Sequence, residues 1–321
     1  MHSLIRDEML AILDSGDSSR LDDAAELSLN GSRLAFSTDT FVVKPIFFPG
    51  GDIGSLAVSG TVNDVLMKGA RPLWLSLGIV MKEGFKRDDL RRILESASAA
   101  CRTAGVSVVT GDTKVVGRGE LDGIAVNTAG IGAILPDIHV GGTHAKPGDA
   151  VMVSGDIGRH GIAVMTERNG LRLTGNIDSD AAPLTHAVIP LLEQFGASIH
   201  VLRDPTRGGI AATLNEIAES SSVTVVLDES SVPVSEEVEA VSEILGFDPL
   251  HLPCEGRFLA FVDRAVADDV TVFLSGFEGC RNAAVIGTVE SSIEGEVLLD
   301  TLSGGRRILD MPSGELLPRI C

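Results

Sequence analysis

Short apolar runs alternate with glycine-rich turns along the first 140 residues. Such runs predict β-strands over residues 33–43, 73–80, 106–110 and 124–135. The first strand is expected to be interrupted by its polar residues 37–40 and to be followed by a loop over 45–54. From 55 to 68 the apolar residues recur at helical spacing, and Asp64 falls off that stripe. We therefore expect a helix that leaves Asp64 free to face a cavity.

Residues 88–105 show the clearest helical pattern. Asp88 is the expected N-cap and Gly105 the expected stop, with one apolar face between them. Cys101 lies on that face, so we interpret it as a core residue. The strand that follows is expected to deliver residues 111–114 (Gly-Asp-Thr-Lys) at its end.

The second half repeats the alternation of strand and helix. Strands are predicted near 150–154, 200–202, 223–227, 258–262 and 284–289, and helices after 158, over 209–220, near 236–245 and near 265–274. Glycines and prolines over 136–148 predict a domain boundary. We therefore predict an α+β fold with two α/β sandwich domains, 1–140 and 141–310, and a tail over 311–321.

The charge of the chain limits its partners. Lys and Arg number 26 against 45 Asp and Glu, giving a net charge of −19 without any basic run. Nucleic-acid binding is not expected, because it needs a concentrated basic surface. No apolar stretch reaches 18 residues and no secretory leader is recognisable, so neither a membrane span nor secretion is expected. The four cysteines form no CxxC pair, which predicts reduced thiols in the cytoplasm.

Aspartates in polar breaks or near strand ends are the main candidates for chemistry. They are Asp22, Asp23, Asp39, Asp64, Asp112 and Asp204. No P-loop or GxGxxG string is present, so a nucleotide would need another binding scheme, and a protein this acidic would need Mg²⁺ to hold phosphates. Lys114 and Arg207 lie two or three residues from such aspartates. For each aspartate alone, a local hydrogen-bonding role at a turn is the simpler interpretation.

The last four residues are Pro318-Arg319-Ile320-Cys321. A thiol at the end of a segment rich in proline and glycine is not expected in a packed core, and it suggests a mobile carrier arm. An accidental exposed cysteine is the simpler alternative. Ten residue steps from Met311 to Cys321 span up to roughly 35 Å, so the thiol could reach both an outside partner and an internal site. Four histidines near loops or helix ends lack ligand spacing, so zinc is not expected. They are His139, His144, His160 and His186.

Eight segments together resemble a known superfamily. They are LDDAA (21–25), STDT (37–40), FFPGGDIG (47–54), TVNDV (61–65), GDTKVV (111–116), RDPTRGG (203–209), EG (255–256) and PRIC (318–321). The chain is thereby similar to aminoimidazole ribonucleotide synthetase and selenophosphate synthetase, and within that superfamily to the HypE hydrogenase maturation proteins. The resemblance implies two PurM-like domains, a flexible tail and a homodimer formed by the sheets of the first domains. We expect an exposed edge near 124–135 to serve that pairing.

The resemblance also implies an activity. A carbamoyltransferase, HypF, would load a carbamoyl group onto Cys321, and ATP would drive its dehydration to an S-cyanide for the iron of NiFe hydrogenase, accepted by the HypC–HypD scaffold. Site roles then follow by match to the family. The catalytic residues would be Cys321 as the processed thiol, Glu255 as the base and Lys114 as an orienting or electrostatic helper. The residues implied to bind Mg²⁺ are Asp22, Asp39, Asp64 and Asp204. The residues implied to bind ATP are the same four together with Asp23, Asp112 and Arg207. Cys254 is interpreted as a packing cysteine beside Glu255.

Two other functions remain open at this stage. One is a small-molecule enzyme of the same superfamily, such as thiamine monophosphate kinase or aminoimidazole ribonucleotide synthetase, in which the tail would be incidental. The other is a non-enzymatic, ATP-gated scaffold for metallocentre assembly. The family's glycine-rich leader is also missing, because Met1-His2-Ser3 leads directly into residues 4–13, so the sequence is either truncated or from a member without the leader.

Overall fold

The computed structural model describes residues 22–171, 177–291, 295–312 and 320–321. Its first half contains one five-stranded sheet in the order β1-β2-β7-β5-β6, antiparallel except for the β5–β6 pair. A short pair, β3–β4, lies beside it. The strands are β1 (Ala25–Leu29), β2 (Ser32–Phe41), β3 (Phe47–Phe48), β4 (Gly51–Asp52), β5 (Ala70–Lys82), β6 (Ser107–Val116) and β7 (Ile124–Ile134).

Helices α1 (Ile53–Met67) and α2 (Arg87–Ala104) cover one face of this sheet. Asp52 caps α1 by accepting from the backbone of Gly54 and Ser55, and α1 is buried almost all the way round. Helix α2 is amphipathic and ends at Gly105, in the left-handed conformation that glycine favours, as predicted. Its N-cap is Lys86, so the prediction of Asp88 was wrong. Cys101 is buried, as predicted.

Three other expectations for this sheet were wrong. Strand β2 runs unbroken through residues 37–40, and β6 contains 111–114 within its length. Polar residues do not interrupt a strand when alternate positions face solvent. Strand β7 lies in the middle of the sheet, so the expected exposed edge near 124–135 is absent; β1 and β6 form the edges.

The second half contains a seven-stranded mixed sheet in the order β14-β13-β10-β12-β8-β11-β9. Its strands are β8 (Ala150–Val153), β9 (Ile199–Arg203), β10 (Val223–Asp228), β11 (Leu259–Val262), β12 (Ala284–Ser291), β13 (Val297–Asp300) and β14 (Arg306–Ile308). Its helices are α3 (Arg159–Asn169), α4 (Thr185–Phe195), α5 (Gly209–Ser221), α6 (Glu236–Leu245) and α7 (Ala267–Ser275). The predicted strands and helices of this half are confirmed, whereas α4, β13 and β14 were missed.

One hydrophobic cluster joins the two halves. It contains Val62 and Leu66 of α1 together with Val188 and Leu191 of α4. Asn63 adds polar links, because its Nδ2 donates to the carbonyls of Ala182 and Glu255 (both 3.1 Å) and its Oδ1 accepts from the backbone of Leu184 (2.9 Å). Helix α1 is therefore fixed against the second half, which positions Asp64, the next residue, at the junction.

None of the helices in the described part of the chain is long and apolar enough to cross a membrane.

Candidate active site at the junction of the two halves

Asp39 and Asp64 reach the junction from the first half. Asp39 lies on the helix-facing side of β2, two residues after Ser37. The Ser37 hydroxyl donates to Asp64 Oδ2 (2.6 Å). Burial raises the pKa of Asp64 well above its ordinary value, and the nearby Asp23 carboxylate raises it further, whereas the bond from Ser37 lowers it. Burial also raises the pKa of Asp39.

Asp204 and Glu255 reach the same region from the second half. Asp204 follows β9 and Glu255 precedes β11, and both are buried. Burial raises both pKa values well above the ordinary range; Asp23 and Asp64 add to the shift of Asp204, and Asp204 adds to that of Glu255. The carboxylates of the two halves are thus close enough to repel one another.

The backbone around Glu255 is held tightly. Its N–H donates to Asp180 Oδ1 (3.2 Å), and the Arg257 guanidinium donates to the Gly256 carbonyl (2.7 Å). A Cβ at Gly256 would lie 1.8 Å from the Asp180 carbonyl oxygen, so only glycine fits there. Cys254 is fully buried and accepts a bond from the Gly158 N–H (3.2 Å), which confirms its packing role.

Asp22 and Asp23 differ although they are neighbours. Asp22 pairs with the Lys68 ammonium and accepts from the Gly142 N–H (2.8 Å). Burial alone would raise the pKa of Asp22, but Lys68 and Gly142 outweigh it and lower that pKa. Asp23 pairs with Arg203 (2.6 Å), yet burial raises its pKa to about 6, and its Oδ2 has no hydrogen-bond partner.

This carboxylate cluster, Asp23, Asp39, Asp64, Asp204 and Glu255, fits a hard divalent cation. Asp23 Oδ2 and Glu255 Oε1 are buried without hydrogen-bond partners, and a cation would relieve the mutual repulsion. Of the described residues, only Asp149, His200 and Asp263 bring three ligand atoms within 4.8 Å of one another. This group lies elsewhere in the second half, and its Asp149 already accepts a hydrogen bond from His200 (2.9 Å). The oxygens of the carboxylate cluster are spread more widely than those of this group. Such spacing suits Mg²⁺, which commonly completes its coordination shell with phosphate oxygens of a substrate.

The last two residues of the chain dock beside this cluster. Ile320 is 3% exposed and Cys321 is partly buried. Burial and the negative charge of Glu255 raise the pKa of the Cys321 thiol, and Arg207 opposes that shift. Arg207 lies 3.7 Å from Asp39, so the thiol, Glu255 and Arg207 converge. Residues 313–319, on which the expected mobile arm depends, lie outside the described part of the chain.

Asp112 and Lys114 lie elsewhere. Both are about two-thirds exposed on edge strand β6 and are 3.4 Å apart. Cross-strand pairing places Asp112 in one row with Gly78, Asn127 and Thr40. Because Thr40 and Asp39 are adjacent in a strand, they point to opposite faces of the sheet, so Asp112 lies on the face opposite that of Asp39. Strand β6 lies three inter-strand spacings from β2, so the two strands are separated by roughly 14 Å across the sheet. A single chain therefore does not bring these two residues to the carboxylate cluster.

Several residues of the site were missed from the sequence. They are Ser37, Asn63, Lys68, His160, Asp180, Arg203 and Glu216. Ser37, Asn63 and Arg203 stand within the segments that carry the family resemblance. A buried carboxylate needs a cation beside it, and Asp22 and Asp23 are adjacent in the chain. This need is the signal in the sequence that favours a buried arginine such as Arg203 near them.

Comparisons with known proteins identify the family of the chain. Residues 21–134 match the family "AIR synthase related protein, N-terminal domain", and residues 146–300 match its C-terminal domain. A carbamoyl dehydratase HypE from Rhizobium leguminosarum bv. viciae is 48% identical over 299 residues, which cover 93% of this chain and 85% of that protein. These matches confirm the α+β fold of two PurM-like domains.

Solved structures show the same relationship. A HypE–HypF complex contains a chain that is 43% identical with a TM-score of 0.91, covering 96% of this chain and 99% of that one. A HypE in complex with ATP is 46% identical with a TM-score of 0.88, covering 100% and 96%. Thiamine monophosphate kinase from Aquifex aeolicus, at 19% identity and a TM-score of 0.68, shares the fold alone. The chain therefore belongs to the HypE family of carbamoyl dehydratases within the AIR synthase related proteins.

Proposed function

We propose that this chain is an ATP-dependent carbamoyl dehydratase that acts on its own Cys321. It would convert an S-carboxamide on that thiol to an S-cyanide destined for the iron of NiFe hydrogenase. The observation that carries the proposal is the docked Cys321, whose thiol shares its surroundings with Glu255, Arg207 and the carboxylate cluster. An ATP complex of a relative 46% identical supports the nucleotide.

The reaction needs activation, because an amide oxygen is a very poor leaving group. Transfer of the ATP γ-phosphoryl group to the carboxamide oxygen turns that oxygen into phosphate, which departs as the nitrogen loses its protons and the nitrile forms. The sum is carboxamide plus ATP giving S-cyanide, ADP, phosphate and one proton. Glu255 is the proposed base: its raised pKa makes the carboxylate a stronger proton acceptor than an ordinary glutamate, and Arg207 offsets negative charge nearby.

Asp23, Asp39, Asp64 and Asp204 are the proposed ligands of Mg²⁺. When bound, Mg²⁺ would neutralise charge on the ATP phosphates. Asp23 replaces Asp22 in this set, because Asp22 already pairs with Lys68 whereas Asp23 has a buried oxygen without a hydrogen-bond partner. Asp22 is then a positioning residue that ties Lys68 to the backbone of Gly142.

A homodimer formed through the outer face of the first sheet would complete the site. Phe36, Ile131 and Trp74 form a row across three neighbouring strands, and Phe36 and Trp74 are 37% and 50% exposed. We call this outer face of β1, β2, β7, β5 and β6 the open face. An exposed apolar row of this kind favours pairing with a second copy. Asp112 and Lys114 lie on the same face, so we propose that each chain offers them to its partner's ATP site.

The remaining expectations form part of the proposal. HypF would carbamoylate Cys321, supported by the HypE–HypF complex of a relative, and HypC–HypD would accept the cyanide. All four cysteines are free thiols, which supports a cytoplasmic setting.

The proposed domains are 1–140 and 141–310, followed by the tail 311–321. This division is supported by the two sheets, because the last strand of the first sheet ends at Ile134 and the first strand of the second begins at Ala150.

Intact mass tests the proposed activity. The chain is incubated with HypF and its carbamoyl donor, and ATP with MgCl₂ is then added. We expect the mass to rise by one carbamoyl group and then to fall by one water, with both changes mapped to Cys321 and absent from Cys321→Ser. A stable carbamoyl adduct in the presence of ATP and Mg²⁺ would refute dehydration. Phosphorylation of thiamine monophosphate by Cys321→Ser would instead favour the small-molecule kinase.

A further inference from the structure

His160 joins the end of the chain to the body of the protein. It lies in the first turn of α3 and is completely buried. Its Nε2 lies 2.9 Å from the Ile320 carbonyl oxygen, and its Nδ1 lies 2.8 Å from Ser179 Oγ. A carbonyl can only accept, so Nε2 carries the proton and the Ser179 hydroxyl donates to Nδ1. Burial lowers the pKa of His160, consistent with this neutral ring.

Ser179 is itself fixed by the FFPGG segment, residues 47–51. Its N–H donates to the Pro49 carbonyl (2.9 Å), and its hydroxyl accepts from the Ala181 N–H (3.0 Å). Gly50 adopts φ +86°, and a Cβ there would lie 2.7 Å from the Ser179 nitrogen. This close approach needs glycine. The segment that most strongly indicated the family thus holds the residue that orients His160.

The side chain of Ile320 enters an apolar socket. The socket belongs to a buried cluster that includes Phe41, Val43, Phe48, Ile53, Leu56 and Val164. Phe48 also meets the His160 ring edge-on, with 5.4 Å between ring centroids. The Val42 N–H donates to a main-chain oxygen of Cys321 (3.5 Å). Residue 320 is therefore held by its side chain and its carbonyl, and these contacts set where the next residue, Cys321, can lie.

We propose that His160 is a positioning residue that docks Ile320 and thereby holds the Cys321 thiol beside Glu255, and that the socket selects a branched aliphatic side chain at position 320. The inference rests on the proposed dehydration at Cys321 for its purpose. The contacts that hold residues 320 and 321 are made by groups of the chain itself. A docked thiol is partly shielded from solvent, whereas an undocked one reacts as a thiol in a free peptide does.

The rate of alkylation of Cys321 by iodoacetamide measures docking directly. It is followed by mass spectrometry of the last peptide, which separates Cys321 from the buried Cys101, Cys254 and Cys280. The matched pair is His160→Gln, whose amide nitrogen can take the place of Nε2, and His160→Asn, whose shorter side chain reaches only the Nδ1 position. We expect His160→Asn to raise the rate about tenfold and His160→Gln to stay within about threefold of the wild type.

Ile320→Ala removes only the side chain that the tail adds to the socket, and we expect a rise of about tenfold or more, against little change for Ile320→Val. His186→Ala is the control, because it removes a histidine–carbonyl contact of the same 2.9 Å length away from the tail. Wild-type rates in both His160→Asn and Ile320→Ala would overturn the proposal. So would equal rates in His160→Gln and His160→Asn, or a wild-type thiol as reactive as a free peptide of residues 312–321. If His160→Asn does not fold, Ile320→Ala and Ile320→Val decide.

The two proposals can fail separately. Alkylation is measured without ATP or a carbamoyl donor, so a chain that docks its tail but never loses water would refute only the dehydratase. A chain that dehydrates its carbamoyl group while Cys321 remains as reactive as a free peptide would refute only the docking by His160.

Discussion

The buried carboxylate cluster and the open face of the first sheet carry residues from the same family motifs, yet they differ in burial. At the junction, burial and mutual repulsion raise the pKa values of Asp64, Asp204 and Glu255. On the open face, Asp112 and Lys114 are largely exposed and contact each other. The cluster is therefore assembled and buried within one chain, whereas the role proposed for the open face would require a second surface to exclude water from it.

Glu255→Gln should have the largest effect. Glutamine keeps the size of the side chain but cannot take a proton, so we expect the dehydration rate to fall about 1,000-fold. Carbamoylation of Cys321 by HypF should be unchanged, because the proposed loading takes place with the thiol outside the junction. Single-turnover mass measurements on carbamoylated protein provide the rate. A decrease below about tenfold would mean that another group is the base.

The sequence predicted most elements of the fold because their apolar patterns are strong. It failed on β6 and on the N-cap of α2, where polar residues suggested breaks. In β6 the polar side chains of Asp112 and Lys114 face solvent while the backbone remains paired with β5. A single sequence also does not reveal sheet order, which is why β7 was expected near an edge although it lies in the centre.

The sequence indicated the acidic residues of the candidate site but not the ion pairs that they form. The spacing of aspartates along the chain does not show that Asp22 faces Lys68 while Asp23 keeps an oxygen without a hydrogen-bond partner. Long-range contacts of this kind depend on how α1, β9 and the chain before β1 pack together. The sequence presents His160 only as a candidate metal ligand, because nothing local to it indicates contact with a residue 160 positions later.

Lys114→Gln should reduce dehydration about 100-fold if the open face serves a partner's site. Co-expression of Lys114→Gln chains with Glu255→Gln chains then distinguishes action within one chain from action across the dimer. In mixed dimers, the chain with intact Glu255 would receive intact Lys114 from its partner. About a quarter of wild-type activity should return, since half of the dimers are mixed and each has one complete site.

The control for this experiment is co-expression of the wild-type chain with Cys321→Ser, which shows how far chains mix. Equal mixing without recovered activity in the Lys114 and Glu255 pair would place Lys114 in its own chain's mechanism. Wild-type activity of Lys114→Gln alone would place it outside the mechanism.

Trp74→Lys should weaken the dimer itself. Trp74 lies at the β5 end of the row that Phe36 and Ile131 continue. A lysine there would place charge against apolar surface, and we expect the dimer dissociation constant to rise at least tenfold. Sedimentation velocity over a range of protein concentrations measures it. Leu302→Lys is the control, because Leu302 is more exposed (75%) and lies outside the open face. An unchanged dissociation constant for Trp74→Lys would place the interface elsewhere.

Asp64→Asn should have the smallest effect, on stability. Because the pKa of Asp64 is raised in the folded chain, the folded state keeps a proton that the unfolded state releases above about pH 4. The stability that this proton contributes is complete below that pH and is lost as the pH rises through the folded pKa. In EDTA we therefore expect the free energy of unfolding of the wild type to fall as the pH rises above about pH 4, and that of Asp64→Asn to fall less.

Urea unfolding at pH 8 should then show Asp64→Asn to be more stable than the wild type by about 1–2 kcal/mol without metal. Excess MgCl₂ should reverse the order, since a cation relieves the repulsion only where the carboxylates remain. Asp300→Asn is the control: this exposed carboxylate pairs with Arg306 at 2.6 Å, so its loss should not alter the response to Mg²⁺. If Mg²⁺ stabilises the wild type and Asp64→Asn equally, Asp64 is not a ligand, and the repulsion within the carboxylate cluster must be relieved in another way.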